Sequence, residues 1–341
     1  MKKTISLPIR PRRLRRTSSI RNLVAETKLS PSQFVLPAFV TEGRDKKEPI
    51  RSMPGQFRLS LDHLIRLAAE AKEVGVMALA LFPQIDDAKK DSFAKESANP
   101  DGLLQRSVKE LKNKFPDLCV ITDVAMDPYS SDGHDGVVVQ REQSTRDRHS
   151  ANFLEIDNDA TLEVLGSMAL AQARAGADFV APSDMMDGRV GHIRQLLDTD
   201  GFTDVGIISY AAKYASSFYG PFRDALGSAP KEGDKKTYQM DFRNQKEAVR
   251  ETHLDVAEGA DIVMVKPALA YLDVIAKIAA ASPVPVAAYN VSGEYAMVKL
   301  AAAQGLIDEN AAILEVLTSI ARAGADITFT YHAIEAARAM N

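Results

Sequence analysis

Two lysines stand where a charged side chain needs a reason. Lys213 closes the run Ile207-Ile208-Ser209-Tyr210-Ala211-Ala212-Lys213, and Lys266 closes Ile262-Val263-Met264-Val265-Lys266-Pro267. Lysine is rarely buried, so an ammonium at the end of an apolar run points to chemistry rather than packing. In a partly apolar mouth, with a second ammonium nearby, desolvation and like-charge repulsion push an amine toward its neutral form. A neutral amine attacks a ketone and forms a Schiff base. The pair therefore implies an enzyme that holds two carbonyl compounds, or one carbonyl beside an electrostatic activator.

A second group of polar residues, Asp127, Asp132, His134 and Asp135, follows another apolar run. Carboxylates in such a cluster suit a hard cation such as Mg²⁺ or pair with an ammonium group, and a polar turn would carry the same residues. Soft thiolate ligands are scarce. The chain has one cysteine, Cys119, inside Leu118-Cys119-Val120-Ile121, where it is expected to be a buried small hydrophobe, and an internal disulfide is excluded.

The elements that must position these groups are short runs rich in Val, Ile, Leu, Phe and Ala. Eight occur: Phe34–Val40, Val76–Phe82, Cys119–Asp127, Asp178–Asp184, Gly206–Lys213, Asp261–Pro267, Pro285–Val291 and Ile327–His332. Their apolarity is continuous rather than alternating, as in strands covered on both faces, and helical spacing fills the stretches between them. An internal repeat agrees. Arg174-Ala-Gly-Ala-Asp178, Glu258-Gly-Ala-Asp261 and Arg322-Ala-Gly-Ala-Asp326 each sit between a helical segment and a strand, Val74-Gly75-Val76 echoes them, and the glycine serves as a helix C-cap. Eight strands alternating with helices predict an α/β fold, a closed (β/α)₈ TIM barrel with an extended N-terminal arm. No Gly-rich phosphate fingerprint follows the first strand, which disfavours a dinucleotide-binding sheet. The expected organisation is an arm over residues 1–30 and one barrel domain over 31–341. Long connections at about 128–157 and 214–244 leave the C-terminal ends of strands, where barrel active sites lie, and are expected to be lids or binding loops.

Composition sets the remaining limits. The chain has 341 residues, 45% of them hydrophobic, which is enough for a substantial core. No run reaches the length of a membrane span and no secretory cleavage pattern opens the chain, so a cytoplasmic protein with no membrane partner is expected. The net charge of −4 hides an asymmetry: Lys2, Lys3, Arg10, Arg12, Arg13, Arg15, Arg16 and Arg21 lie in the first 25 residues with no acid, leaving −12 on the rest. Such an arm suits the acidic body of a partner subunit, a transit peptide or nucleic acid. The arm has no interleaved aromatics for base stacking, so no nucleic-acid partner is expected.

With the strand-end lysines placed, longer motifs come into view: Gly259-Ala-Asp-Ile-Val-Met-Val-Lys-Pro-Ala-Leu-Ala-Tyr271, Asp123-Val-Ala-Met-Asp-Pro-Tyr-Ser-Ser-Asp-Gly-His-Asp-Gly136, Ala181-Pro-Ser-Asp184, Met186-Asp-Gly-Arg189, Tyr219-Gly-Pro-Phe-Arg-Asp-Ala225, Tyr238-Gln-Met240 and Val291-Ser-Gly-Glu-Tyr295. Together they resemble the porphobilinogen synthase (5-aminolaevulinate dehydratase) family, in its cysteine-poor, aspartate-rich, magnesium-type subgroup. The resemblance covers nearly the whole chain. It implies that two molecules of 5-aminolaevulinate condense to porphobilinogen with loss of two waters, an early step of tetrapyrrole synthesis.

By position, Lys266 resembles the family's Schiff-base lysine for the substrate that supplies the propionate side, and Lys213 its partner for the acetate side. Ser292 and Tyr331 fall where hydroxyls hold the first substrate's carboxylate, with Ser183 and Asp123 near its amino group. Arg223 and Lys235 match a cationic pair in the lid that grips the second carboxylate, with Gln239 beside them. Lysine at 235 makes that grip a point charge rather than a bidentate clamp. Where zinc-dependent members carry three cysteines, this chain has Ala125, Asp127 and Asp135, so catalytic zinc is not expected and Asp127 and Asp135 face either a cation or the substrate's amine. Glu251 corresponds to a residue that holds a stimulatory Mg²⁺ through a hydrated shell. The arm implies a homo-oligomer, an octamer built from arm-embracing dimers. The competing readings are a class I aldolase-like Schiff-base lyase, against which the second lysine counts, and a nucleic-acid-binding barrel, which leaves both lysines unexplained.

Overall fold

The computed structural model describes residues 7–140 and 154–340. Eight strands form one closed parallel sheet: β1 Phe34–Val40, β2 Ala78–Pro83, β3 Cys119–Val124, β4 Phe179–Pro182, β5 Gly206–Lys213, β6 Ile262–Lys266, β7 Val286–Asn290 and β8 Ile327–Thr330. Each pairs with the next along the chain, and β8 returns to pair with β1. All eight expected runs are these strands, and the fold is the expected (β/α)₈ barrel.

Alternation along each strand divides the core into two shells. Inward positions such as Val35, Phe39, Phe82, Ile121, Tyr210, Met264, Tyr289 and Phe329 fill the barrel lumen. Outward positions such as Leu36, Leu79, Val120, Val180, Ile207 and Val263 pack under the helices. Both faces of every strand are thus dry, which is why the runs read as continuously apolar.

The repeat has a structural cause beyond its glycines. Gly176, Gly259 and Gly324 end helices with φ of 100°, 105° and 111°, a left-handed conformation that a Cβ disfavours. The aspartate two residues later then reaches to the preceding strand. Asp178 accepts a hydrogen bond from Val120 N–H at 2.7 Å, Asp261 from Ile207 N–H at 2.8 Å and Asp326 from Val286 N–H at 2.9 Å. The same three-residue unit stops a helix and ties down the base of a neighbouring strand.

Both long connections rise from the C-terminal rim. The first carries an antiparallel hairpin, Val137–Gln140 with Leu154–Asp157, and its residues 141–153 lie outside the described residues. The second folds a helix, Gly220–Leu226, and then returns to β5, where Met240 N–H donates to the Lys213 carbonyl at 3.0 Å. A smaller hairpin, Lys47–Pro49 with Phe57–Leu59, extends the sheet beyond β1. Cys119 opens β3 at the opposite end of the barrel and is partly rather than fully buried.

Candidate active site

Lys266 ends β6 with 6% of its surface exposed. Its amine is ringed by aromatic faces, with Tyr289 at 4.5 Å, Tyr210 at 5.0 Å, Phe222 at 5.1 Å and Tyr219 at 5.4 Å from ring centroid to Nζ. The rings favour a cation, but burial removes far more hydration than they return. Burial first, and the Lys213 ammonium second, bring the Lys266 amine down to about 7. Close to neutrality a large fraction is therefore the free amine.

Lys213, equally buried, ends β5 in the opposite kind of environment. Its ammonium donates to the Ser183 carbonyl at the end of β4 and lies 3.7 Å from the Asp135 carboxylate. Around it the end of β3 and the loop that follows bring a set of acids. Asp123 is buried, and that burial, reinforced by Asp127, raises its carboxyl to about 7 against the pull of Lys266 and Lys213. One of its oxygens, Oδ1, has no partner. Burial also raises Asp127, whereas at Asp135 the nearby Lys213 and Lys235 outweigh burial and hold the carboxyl well below its usual range.

The expected site residues divide into three groups. Lys213, Lys266, Asp123, Asp127, Asp135, Ser183, Lys235 and Gln239 come together. Lys235 is more deeply engaged than a lid cation would be: its ammonium donates at 3.1 Å to both Asp127 and Asp135, and Gln239 donates to Asp135 at 3.4 Å. Arg223 is half-buried and shares with Lys235 and Gln239 the wall of a cavity of about 710 Å³. Tyr331 joins through Tyr289, hydroxyl to hydroxyl at 3.1 Å, whereas the Ser292 hydroxyl accepts from Phe222 N–H at 3.0 Å and is thus bonded to the lid.

Glu251 stands apart, in the helix Gln245–Ala257. It lines a second cavity of about 410 Å³ with Asp187 and Glu247, and among the described residues that lining holds no lysine or arginine. Burial and then the neighbouring carboxylate of Asp255 raise its pKa. Oxygen donors of one sign around room for water suit a hydrated hard cation. Among the described residues, the one group with three ligand atoms within 4.8 Å of one another is Asp45, Asp62 and His63, which does not include Glu251.

Sequence reasoning missed the aromatic cage, Glu294 and Arg189. Glu294 is buried and accepts from Val291 N–H at 3.0 Å, Leu269 N–H at 2.7 Å and Asn290 Nδ2 at 3.2 Å, so it joins the loop after Lys266 to the turn that carries Ser292. An acid three residues past a helix start was its available signal. Arg189 is buried between Asp255 at 3.1 Å and Asp184 at 3.8 Å and donates to the Tyr210 carbonyl at 3.3 Å, bracing the strand that carries Lys213.

Residues 8–339 match the family described as Delta-aminolevulinic acid dehydratase. The chain belongs to this family. It is similar to the chloroplastic delta-aminolevulinic acid dehydratase of Physcomitrium patens, 54% identical over 97% of this chain and 74% of the relative. It is likewise similar to that of Glycine max, 52% identical over 98% and 79%. The crystal structure of delta-aminolevulinic acid dehydratase from Toxoplasma gondii ME49, in complex with the reaction product porphobilinogen, superposes with a TM-score of 0.91 at 53% identity, covering 97% of this chain and 91% of that one. The chain is therefore an enzyme of the delta-aminolevulinic acid dehydratase type, a porphobilinogen synthase, and its reaction belongs to tetrapyrrole biosynthesis.

One expectation is overturned. The plant and moss relatives are named chloroplastic, which points to a plastid rather than to the cytoplasm. The inference failed because a single cysteine and the lack of an apolar span describe any reducing, aqueous compartment, and the stroma is one.

Proposed function

We propose that the two lysines divide the condensation of two 5-aminolaevulinate molecules between them. Lys266, near neutral as an amine, attacks the ketone of the substrate that supplies the propionate side, and one water leaves as the imine forms. Lys213 binds the substrate that supplies the acetate side, held by the Ser183 carbonyl and Asp135 until that ketone arrives. Asp123, with a carboxyl near 7 and a free oxygen, is poised to take and return protons at neutral pH. Tyr331 and Ser292 hold the first substrate's carboxylate, Ser183 lies near its amino group, and Arg223, Lys235 and Gln239 receive the second carboxylate. Asp127 and Asp135 face the substrate ammonium rather than a metal.

The observation that carries this assignment is the contrast between the paired amines: Lys266 in an aromatic cage at about 7, Lys213 against a carbonyl and a carboxylate. Borohydride reduction with labelled 5-aminolaevulinate, followed by peptide mapping, tests it. Label on Lys266, with a second fraction on Lys213 at high substrate, is expected. Label on neither lysine would overturn the assignment and favour no covalent step at all.

Catalytic zinc is not required in this scheme, because the loop after β3 offers carboxylates where thiolates would be needed. Full loss of activity to a zinc-selective chelator, restored only by zinc, contradicts it. Glu251, with Asp187 and Glu247, would hold a stimulatory Mg²⁺, which would supply positive charge beside these carboxylates. The basic arm, whose exposed Ile9 and Leu23 are 81% and 84% accessible, embraces a second copy in dimers that build an octamer. Removal of residues 1–25 is expected to dissociate the assembly in sedimentation velocity, and an unchanged sedimentation coefficient sinks that part.

A further inference from the structure

The lid helix Gly220–Leu226 is held from two sides. From the small hairpin, Arg58 donates to the Ala225 carbonyl at 2.5 Å and to the Asp224 carbonyl at 2.7 Å. From the opposite side, the turn at Ser292-Gly293 receives the start of the lid. Phe222 N–H donates to Ser292 Oγ at 3.0 Å, and Ser292 Oγ donates to the Phe218 carbonyl at 3.4 Å. Gly293 lies directly under that carbonyl. A Cβ at Gly293 would meet Phe218 O at 2.5 Å and Phe218 Cα at 2.8 Å, closer than any real side chain allows, and the obstacle is backbone.

What this contact positions is hydrophobic cover. Phe222 packs edge-on to Phe82 at 5.2 Å and against Phe39 at 5.7 Å, both lumen residues, and sits 5.1 Å from the Lys266 amine. Tyr219 donates its hydroxyl to the Lys266 carbonyl at 3.1 Å. Glu294 fixes the seat to the same loop, because it bonds both Val291 N–H and Leu269 N–H.

We propose that Phe218–Phe222 is a plug over the Lys266 amine and that Ser292 and Gly293 are its seat, with Phe222 and Gly293 acting as positioning residues for the condensation. This rests on the Schiff-base assignment of Lys266. The seat explains why a hydroxyl expected to hold a substrate carboxylate is bonded to the lid: capture of the carboxylate and seating of the plug draw on the same Ser292 Oγ, so the two events are coupled. The plug also keeps water from the imine carbon once it forms. The charges that face Lys266 besides the plug are Lys213, Asp123, Asp127 and Asp135, and the phenols outside the plug are Tyr210 and Tyr289. None of these is altered by changing Phe222 or Gly293, so a change in amine behaviour reports the plug.

The full-length enzyme tests this through two readouts that do not depend on turnover. Competitive labelling of the free lysines across pH gives the half-reaction pH of Lys266, and borohydride reduction of the imine with 5-aminolaevulinate gives its accessibility. Phe222→Ala and Gly293→Ala are expected to raise that half-reaction pH and to speed reduction, while Phe222→Leu, which restores apolar cover, returns both toward the unsubstituted enzyme. Values for Phe222→Ala that coincide with the unsubstituted enzyme overturn the plug. Should Gly293→Ala fail to fold, Phe222→Ala decides alone, since it only trims a half-buried side chain. Absence of trapping at Lys266 in the unsubstituted enzyme overturns the Schiff-base assignment and the plug together. Normal trapping with an unchanged rate in Phe222→Ala overturns the plug only.

Discussion

Lys213 and Lys266 are register partners on adjacent parallel strands. Neighbouring strands lie about 4.8 Å apart, and residues in register point to the same face. The sheet itself, rather than a loop, therefore holds the two amines side by side at the barrel mouth, where the charge of Lys213 acts on Lys266.

That coupling has a direction. The Lys213 ammonium helps to depress Lys266, after burial, so Lys213→Met is expected to raise the pH at which Lys266 becomes reactive from about 7 to a higher value. Borohydride trapping of one substrate molecule across pH measures it. Product formation in the same variant should fall by roughly 10⁴-fold or more, the scale on which enzymes lose activity when one member of a nucleophilic set is removed. An unmoved trapping profile would show that the two amines do not interact.

Lys235 is expected to matter for the second substrate more than for the first. Lys235→Met removes a charge-assisted contact worth about 1.5 to 3 kcal/mol, which corresponds to a rise in KM of about 10- to 150-fold. It also leaves Asp127 and Asp135 facing each other, so both carboxyls should titrate upward. Trapping at Lys266 by a single substrate should survive. A variant that loses trapping as well would place Lys235 in the first site.

Magnesium stimulation should depend on pH through Glu251. Burial and the adjacent carboxylates raise its pKa, so falling pH protonates it early and weakens the cation's hold. Activity titrated with Mg²⁺ is expected to need more metal at pH 6 than at pH 8, with Glu251→Gln flattening the response at both. Equal stimulation of Glu251→Gln and the unsubstituted enzyme would remove Glu251 from the site.

Glu294→Ala leaves buried N–H groups of Leu269 and Val291 without an acceptor, each at about 1 to 3 kcal/mol. A clear fall in the thermal midpoint is expected, with Ser292 and the loop after Lys266 loosened together. A melting curve identical to that of the unsubstituted enzyme would show that water takes over both contacts.

What was legible in the sequence was what local composition encodes. Eight apolar runs marked eight strands because both faces of a barrel strand are dry, and Lys213 and Lys266 stood out because each ends such a run. The remainder depends on partners distant in sequence. Lys235 meets Asp127 and Asp135 across 108 and 100 residues, and no local pattern distinguishes that buried trio from a solvated lid charge. Phe222 and Tyr289 look like any other core aromatics until the fold turns their faces toward Lys266. Ser292 was read for its hydroxyl, but the neighbouring glycine, which has no side chain to notice, decides where the lid rests.

The one thiol in the protein lies at the base of β3, half-buried, with burial pushing it up to about 11, while carboxylates occupy the rim above. Oxidants and mercurials act on thiolates and find almost none here. Amines and carboxylates, rather than thiolates, therefore make up the ionisable groups at the barrel mouth, and neither is a target of thiol oxidation.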